Sequence, residues 1–278
     1  MPDRYALIGH PVAHSRSPWI HAQFARATGE DIAYDAIDAP PEGFVAQVEK
    51  FRAAGGKGLN VTLPFKAQAF RYCAGTTARA AAAQAVNTLV LDREQPFGDN
   101  TDGVGLVRDL SANLGRGLAG AQVLLLGAGG AAQGVLAPLA EAGAAAIVVA
   151  NRTVARAQAL AARVPGVVAC GFDALAGRAF DLVVNATSAG LSGELPRLPP
   201  GLFRPGALAY DMLYGRDTEF LAMARAAGAA TSDGLGMLVE QAAESFLVWR
   251  GVRPDTRAVL ATLRALGPQS RSYNLPRA

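Results

Sequence analysis

Gly127-Ala128-Gly129-Gly130-Ala131-Ala132, a G-x-G-x-x-A element between the apolar run Gln122 to Leu126 and a helical pattern, constrains the fold more than any other stretch. Its spacing suits a strand that turns at once into a helix. Gly127 permits the tight turn, Gly129 lets a bound group approach the backbone, and Ala132 allows the helix to pack closely on the sheet. The start of such a helix offers free N–H groups and the positive end of its dipole, a setting for phosphate. A unit of this kind needs parallel neighbours and crossover helices, so the chain must contain an α/β sheet covered on both faces.

The flanking sequence supplies the neighbours. Apolar strands are expected at Gln122 to Leu126, Ala145 to Ala150, Gly166 to Cys170, Leu182 to Asn185 and Leu208 to Asp211, with helical stretches between most of them, the pattern of a doubly wound parallel sheet. The first hundred residues repeat the alternation. Strands are expected at Tyr5 to Gly9, Ile32 to Asp38, Gly58 to Thr62 and Thr88 to Asp92, with helices near Pro18 to Thr28, Glu42 to Ala53 and Ala67 to Cys73. A helix over Val104 to Asn113 follows, and Gly115-Arg116-Gly117-Leu118-Ala119-Gly120 breaks the chain before the next strand, which marks a domain boundary. With the connecting helix counted to the second domain, the domains are 1–103 and 104–235. Helices at Gly236 to Trp249 and Pro254 to Leu266 come after the second sheet and are expected to complete the first domain, so that 236–278 belongs with 1–103.

Composition narrows the function classes. With 278 residues, 51% hydrophobic and 18% charged, the chain can bury one large or two modest cores and is not a disordered polyelectrolyte. No apolar run approaches the 18 or so residues of a membrane span, and the N-terminus shows no secretory signal, so a cytoplasmic location is expected. The net charge of +3 is carried by scattered arginines rather than blocks, which gives no footprint for nucleic acid. Cys73 and Cys170 lie far apart and are expected to be buried, reduced thiols. His10, His14 and His21 show no acidic or cysteine partner at ligand spacing, so no metal site is expected.

The second strand of the glycine-loop domain ends at Asn151-Arg152-Thr153, with Arg156 one turn on. An NAD enzyme carries an acidic residue there for the ribose hydroxyls, whereas two guanidinium groups suit the 2′-phosphate of NADP. The cofactor expected is therefore NADP. Chemistry is expected on Lys66, one of only three lysines in a chain that otherwise uses arginine. An ammonium can give up its proton and a guanidinium effectively cannot. Lys66 ends the strand, turn and helix start of Gly58 to Lys66, and Asn87-Thr88 and Asp99-Asn100-Thr101-Asp102-Gly103 are expected at the same end of the sheet. A lysine beside a carboxylate can move a proton on a substrate hydroxyl while hydride passes to a nicotinamide. The plainer alternatives are a solvated helix lysine and, for Asp102, a helix N-cap.

Segments along almost the whole chain carry a more specific likeness: Gly9-His10-Pro11-Val12-Ala13-His14-Ser15-Arg16-Ser17-Pro18, Asn60-Val61-Thr62-Leu63-Pro64-Phe65-Lys66, Ala85-Val86-Asn87-Thr88, Asn100-Thr101-Asp102-Gly103, Asn185-Ala186-Thr187-Ser188, Asp211-Met212-Leu213-Tyr214 and Gly236-Met237-Leu238-Val239-Glu240-Gln241. In these the chain resembles the shikimate dehydrogenase family. The resemblance implies two α/β domains with a cleft between them, an N-terminal substrate-binding domain and a Rossmann NADP-binding domain. It implies reversible, NADPH-dependent reduction of 3-dehydroshikimate to shikimate, with Lys66 and Asp102 as the catalytic pair. Ser15, Ser17 and Tyr214 are implied for the substrate carboxylate, and Thr62, Asn87 and Gln241 for the ring hydroxyls. Gly127, Ala128, Gly129, Gly130 and Ala131, with Asn151, Arg152, Thr153 and Arg156, are implied for the adenine half of NADP, and Thr187, Ser188, Met212 and Gly234 for the nicotinamide half. From the residues alone, Ser15 and Ser17 could cap the first helix, Tyr214 could be interface packing and Met212 could be core. A relative that oxidises quinate or an aminated shikimate, or an idle ligand-binding homologue, shares these motifs. A small molecule is the expected partner, in a monomer or homodimer.

Overall fold

The computed structural model describes residues 1–187 and 196–267, and these divide into two compact units. One runs from Met1 to Gly105 and resumes at Leu238; the other is the continuous segment Leu106–Met237. The chain therefore passes between units inside helices, and Gly115 to Gly120 lies within the second unit rather than at its edge.

The first unit is built from β1 (Asp3–Gly9), α1 (Ser17–Thr28), β2 (Ile32–Asp38), α2 (Phe44–Ala53), β3 (Gly56–Val61), α3 (Lys66–Tyr72), β4 (Gly75–Thr76), α4 (Ala78–Ala83), β5 (Thr88–Val90) and β6 (Phe97–Asp99). Its sheet has the order β2-β1-β3-β5-β6-β4. β1 lies parallel to β2 and β3, while β5 runs antiparallel to both β3 and β6. The link from β5 to β6 is too short for a crossover, so those two strands form a hairpin. Ile8, Leu59, Val61, Phe44, Phe65 and Leu89 fill one face. The other face holds an aromatic nest from α1, β1, β2 and α9 (Leu235–Arg250). There His21, wholly buried, stacks on Tyr34 at 4.1 Å and lies 5.5 Å from the Trp249 ring, with neither ring nitrogen in a hydrogen bond.

The second unit contains α5 (Asp102–Arg108) from Leu106 on, a π-helical turn at Asp109–Asn113, β7 (Gln122–Leu126), α6 (Gly130–Glu141), β8 (Ala146–Ala150), α7 (Val154–Ala161), β9 (Val168–Cys170), β10 (Phe180–Asn185), β11 (Phe203–Asp211), α8 (Glu219–Ala226) and β12 (Ala230–Asp233). All six strands are parallel, in the order β12-β11-β10-β7-β8-β9. Alternate residues feed opposite cores. Val123, Leu125, Val149 and Val184 pack on one face, and Leu124, Leu126, Val148 and Val183 on the other. Double-sided burial at about 1.5–3 kcal/mol per large aliphatic side chain explains why these strands are uninterrupted apolar runs. The expected helix over 104–113 is α-helical only to Arg108. In the π turn, buried Asp109 accepts from Asn113 and from the Tyr210 hydroxyl at 2.7 Å. α10 (Arg257–Ala265) closes the described chain.

Two details correct the sequence expectations. Cys73 and Cys170 are half-buried rather than buried. His10 does have an acidic partner, Asp38 at 2.6 Å, a contact the sequence hides because 28 residues separate them. Among the described residues no group of acidic, histidine or cysteine side chains is placed to hold a metal, and no helix is long and apolar enough to cross a membrane.

Candidate active site

In the first unit, pairing across β3, β5 and β6 gathers the polar segments at one end of the sheet. Asn60 stands opposite Thr88, Thr88 opposite Asp99, and the Asn87 N–H donates to the Asp99 carbonyl at 3.0 Å. Lys66 opens α3, where its Nζ donates to Asp102 Oδ2 at 2.6 Å. The pair is largely shielded, with side-chain exposures of 15% and 6%. Asp102 Oδ1 accepts from Asn87 Nδ2 at 2.9 Å, so each carboxylate oxygen has its own donor. Asp102 is therefore not an N-cap: its carboxylate turns to Lys66 and Asn87, and the Asn100 side chain takes the Asp102 N–H instead.

The Asn87 amide has a fixed orientation. Its Oδ1 accepts from the Thr101 N–H at 2.8 Å and the Thr88 hydroxyl at 2.9 Å, which leaves Nδ2 for Asp102, Thr101 Oγ1 and Gln241 Oε1. Gln241, on α9, also donates to the Leu238 carbonyl. Lys66, Asp102, Asn87 and Gln241 thus form one cluster inside a single unit. Thr62 follows β3, beside Gly9, where a Cβ would collide with the Thr62 methyl. Ser15 and Ser17 lie at the start of α1, where Ser15 Oγ accepts the Ser17 N–H at 3.2 Å but no side chain caps the helix. Tyr214, half-buried, belongs to the second unit.

The glycine loop of the second unit follows β7, the strand on which the sheet order reverses, at the carboxyl end where such sheets receive ligands. Gly127 has φ +106°, and a Cβ there would stand 3.0 Å from the Ala186 carbonyl oxygen, so only glycine fits without strain. A Cβ on Gly129 meets nothing within 4 Å. That residue leads into α6 without a side-chain cap, leaving N–H groups and open space for a diphosphate. Ala128 and Ala132 are buried against the sheet core. Gly129 is exposed, and Gly130 and Ala131 are half-buried.

Asn151 donates to the Thr153 carbonyl at 2.9 Å and shapes the turn into α7. Arg152, Thr153 and Arg156 are exposed, and neither arginine joins an ion pair among the described residues. Two free guanidinium groups and no carboxylate at this strand end fit a ribose phosphate. Thr187 Oγ1 donates to Asn185 Oδ1 at 2.7 Å, and Met212, half-buried, packs against the core, in keeping with its plainer reading. Gly234 backs directly onto Met212, whose carbonyl a Cβ would strike. Ser188 lies outside the described residues. These loops therefore suit NADP by their donor set and by the space kept at Gly129.

Sequence reasoning missed the polar groups beneath the cluster. Ser245 Oγ meets Asn60 Nδ2, Thr88 Oγ1 and Thr101 Oγ1, and Arg79 binds Asp99 and Glu244. A serine on an apolar helix face, at Ser245, was the one available signal.

Comparison with known proteins bears on the whole chain. Residues 7–89 match the family described as shikimate dehydrogenase substrate binding domain, 109–192 that of shikimate / quinate 5-dehydrogenase, and 234–264 that of the shikimate 5′-dehydrogenase C-terminal domain. The chain is 60% identical to a shikimate dehydrogenase (NADP(+)) of Aromatoleum aromaticum over 270 residues, covering 94% of this chain and 97% of the relative. Among solved structures, an Ael1 enzyme from Pseudomonas putida is 48% identical with a TM-score of 0.88, over 94% of this chain and 98% of that one. A shikimate 5-dehydrogenase from Thermus thermophilus, in complex with NADP(H) and shikimate, is 36% identical with a TM-score of 0.83, over 95% and 99%.

Proposed function

The chain belongs to the shikimate dehydrogenase family, and on that premise we propose that Lys66 and Asp102 are its proton-transfer pair in the reversible reduction of 3-dehydroshikimate to shikimate. It is an NADP-dependent oxidoreductase, and the reaction lies on the route to aromatic amino acids. The observation that carries the reading is the 2.6 Å contact between Lys66 Nζ and Asp102 Oδ2, with Asn87 holding the other oxygen.

NADPH, when bound, supplies the hydride. As the carbonyl carbon becomes an alcohol carbon, its oxygen needs a proton, and Lys66 is placed to deliver one while its charge steadies the developing alkoxide. In the oxidative direction the pair takes that proton back. Asn87, with its amide orientation fixed, keeps Asp102 facing Lys66. Thr62, Asn87 and Gln241 are assigned to the ring hydroxyls, and Ser15, Ser17 and Tyr214 to the carboxylate. An analogue lacking a hydroxyl then leaves shielded polar groups unpaired, the strongest form of discrimination open to such a site. Residues 1–103 with the helices after 236 would carry the substrate, and 104–235 the cofactor. There Gly127 to Ala131 take the diphosphate, Asn151, Arg152, Thr153 and Arg156 the 2′-phosphate end, and Thr187, Ser188, Met212 and Gly234 the nicotinamide end.

Replacing Lys66 by alanine should lower turnover by about 10²- to 10⁴-fold, the usual contribution of a positioned acid or base, with shikimate affinity changed far less. Turnover close to that of the parent would remove Lys66 from the chemistry. A family description shared between shikimate and quinate favours quinate as the second reading. Rates on both acids with NADP and NAD separate the two.

A further inference from the structure

Arg79, on α4, is the meeting point of an ion-pair lattice beneath the cluster, and none of its partners is a neighbour in sequence. Its Nε and Nη2 hold the two oxygens of buried Asp99 at 2.7 and 2.6 Å. Asp99 also accepts from the Thr77 hydroxyl and the Asn100 N–H, and the Asn100 side chain in turn accepts the Asp102 N–H at 3.1 Å. The third arm, Nη1, reaches Glu244 on α9 at 3.0 Å, one helical turn beyond Gln241. Arg253 clamps Glu244 and Glu240 together on that helix, and Thr256 takes the remaining Glu240 oxygen. One guanidinium therefore ties the turn that carries Asp102 to the helix that carries Gln241.

From this geometry we infer that Arg79 is a positioning residue: it sets the placement of Asp102 against Lys66 through Asp99, and of Gln241 through Glu244. The inference rests on the proposed roles of Lys66 and Asp102. A planar fork is required, because a lysine at 79 concentrates its donors on one nitrogen and cannot grip both oxygens of Asp99 side by side while reaching Glu244. Without the fork, Asp99 keeps a shielded charge with fewer donors, and the turn through Asn100 is free to shift. A displacement of about 1 Å at a reacting group costs up to about 100-fold in rate.

The test is steady-state kinetics of the full chain with shikimate and NADP, on Arg79→Ala, Arg79→Lys, Glu244→Gln and, alongside them, Lys66→Ala, each with a thermal melt. Arg79→Ala is expected to lose about 10- to 100-fold in kcat with the KM for NADP within about twofold. Arg79→Lys should recover part of the loss, as should guanidinium ion added to Arg79→Ala at concentrations that leave its melt unchanged. Glu244→Gln should raise the KM for shikimate about two- to fivefold, the size of a partly exposed ion pair, and leave kcat near that of the parent. Parental kcat and KM in a folded Arg79→Ala overturn the inference, and so does a loss that neither lysine nor guanidinium relieves. If Arg79→Ala does not fold, Arg79→Lys decides: a lowered kcat with an unchanged melt supports the positioning role, and parental kcat overturns it. Lys66→Ala separates the two readings, since full activity there removes the catalytic pair itself, whereas a dead Lys66→Ala beside a fully active Arg79→Ala removes only the role of Arg79.

Discussion

His21 makes the stability of the first unit depend on pH in a window where few other groups titrate. Burial among Tyr34, Phe24, Phe246 and Trp249 pushes its imidazole down from 6.5 to about 3. The unfolded chain takes up a proton on this ring near pH 6.5, whereas the folded chain stays neutral there until about pH 3. Stability is therefore full above 6.5 and falls as pH drops through the window between the two values. From 6.5 to 5 the loss is about 1.4 kcal/mol per pH unit, or about 2 kcal/mol in all, a sizeable part of a domain's typical 5–15 kcal/mol. Both tryptophans, Trp19 and Trp249, lie in this unit, so selectively excited tryptophan fluorescence during urea unfolding reads it alone. His21→Leu keeps the volume and removes the titration along with two unpartnered ring nitrogens. The variant should match or exceed the parent at pH 7.5 and lose about 2 kcal/mol less by pH 5. Parallel stability profiles for parent and variant over that range would refute the reasoning.

Neutral replacements at Arg152 and Arg156 should raise the KM for NADP about 10- to 100-fold, the worth of a charged hydrogen bond, and that for NAD little; equal effects in cofactor-saturation kinetics would contradict the phosphate assignment. Burial pushes the Cys73 thiol up to about 12 and raises Cys170 as well, so native protein at pH 8 should react with a thiol-disulfide reagent far more slowly than denatured protein. Two prompt thiol equivalents from the native chain would count against that environment.

The second unit is almost fully legible because double-sided burial writes itself into sequence: Gln122–Leu126 is located to the residue, and Ala146–Ala150 to within one. The first sheet is legible in β1, β2, β3 and β5 but not in its two last strands. β6, Phe97-Gly98-Asp99, has one large apolar residue and exists through its hairpin with β5. β4 is two residues long, and α4 is an alanine run with no apolar period to read. β12, Ala-Thr-Ser-Asp, is an edge strand held by β11 alone. At the candidate site, Lys66 and Asp102 stand out because lysine is scarce and both fall at a strand or helix end. Arg79, Asn60 and Ser245 do not, because their meaning depends on partners 20 to 185 residues away, and no local pattern encodes such distances.

The split first unit also orders the birth of the molecule. Trp249 donates to the Leu89 carbonyl, Arg250 pairs with Asp3 and Glu30, and Ser245 joins Asn60 to Thr101, so the N-terminal sheet is finished by a helix translated only after the second unit. A ribosome adding about 5–20 residues per second must release the entire second unit first. For on the order of ten seconds the nascent N-terminal segment has its strands but not its closing helix, while the continuous Leu106–Met237 segment already holds everything its own sheet needs. The later-starting unit is thus the one able to fold first, and the earlier half waits for it with an unclosed aromatic face.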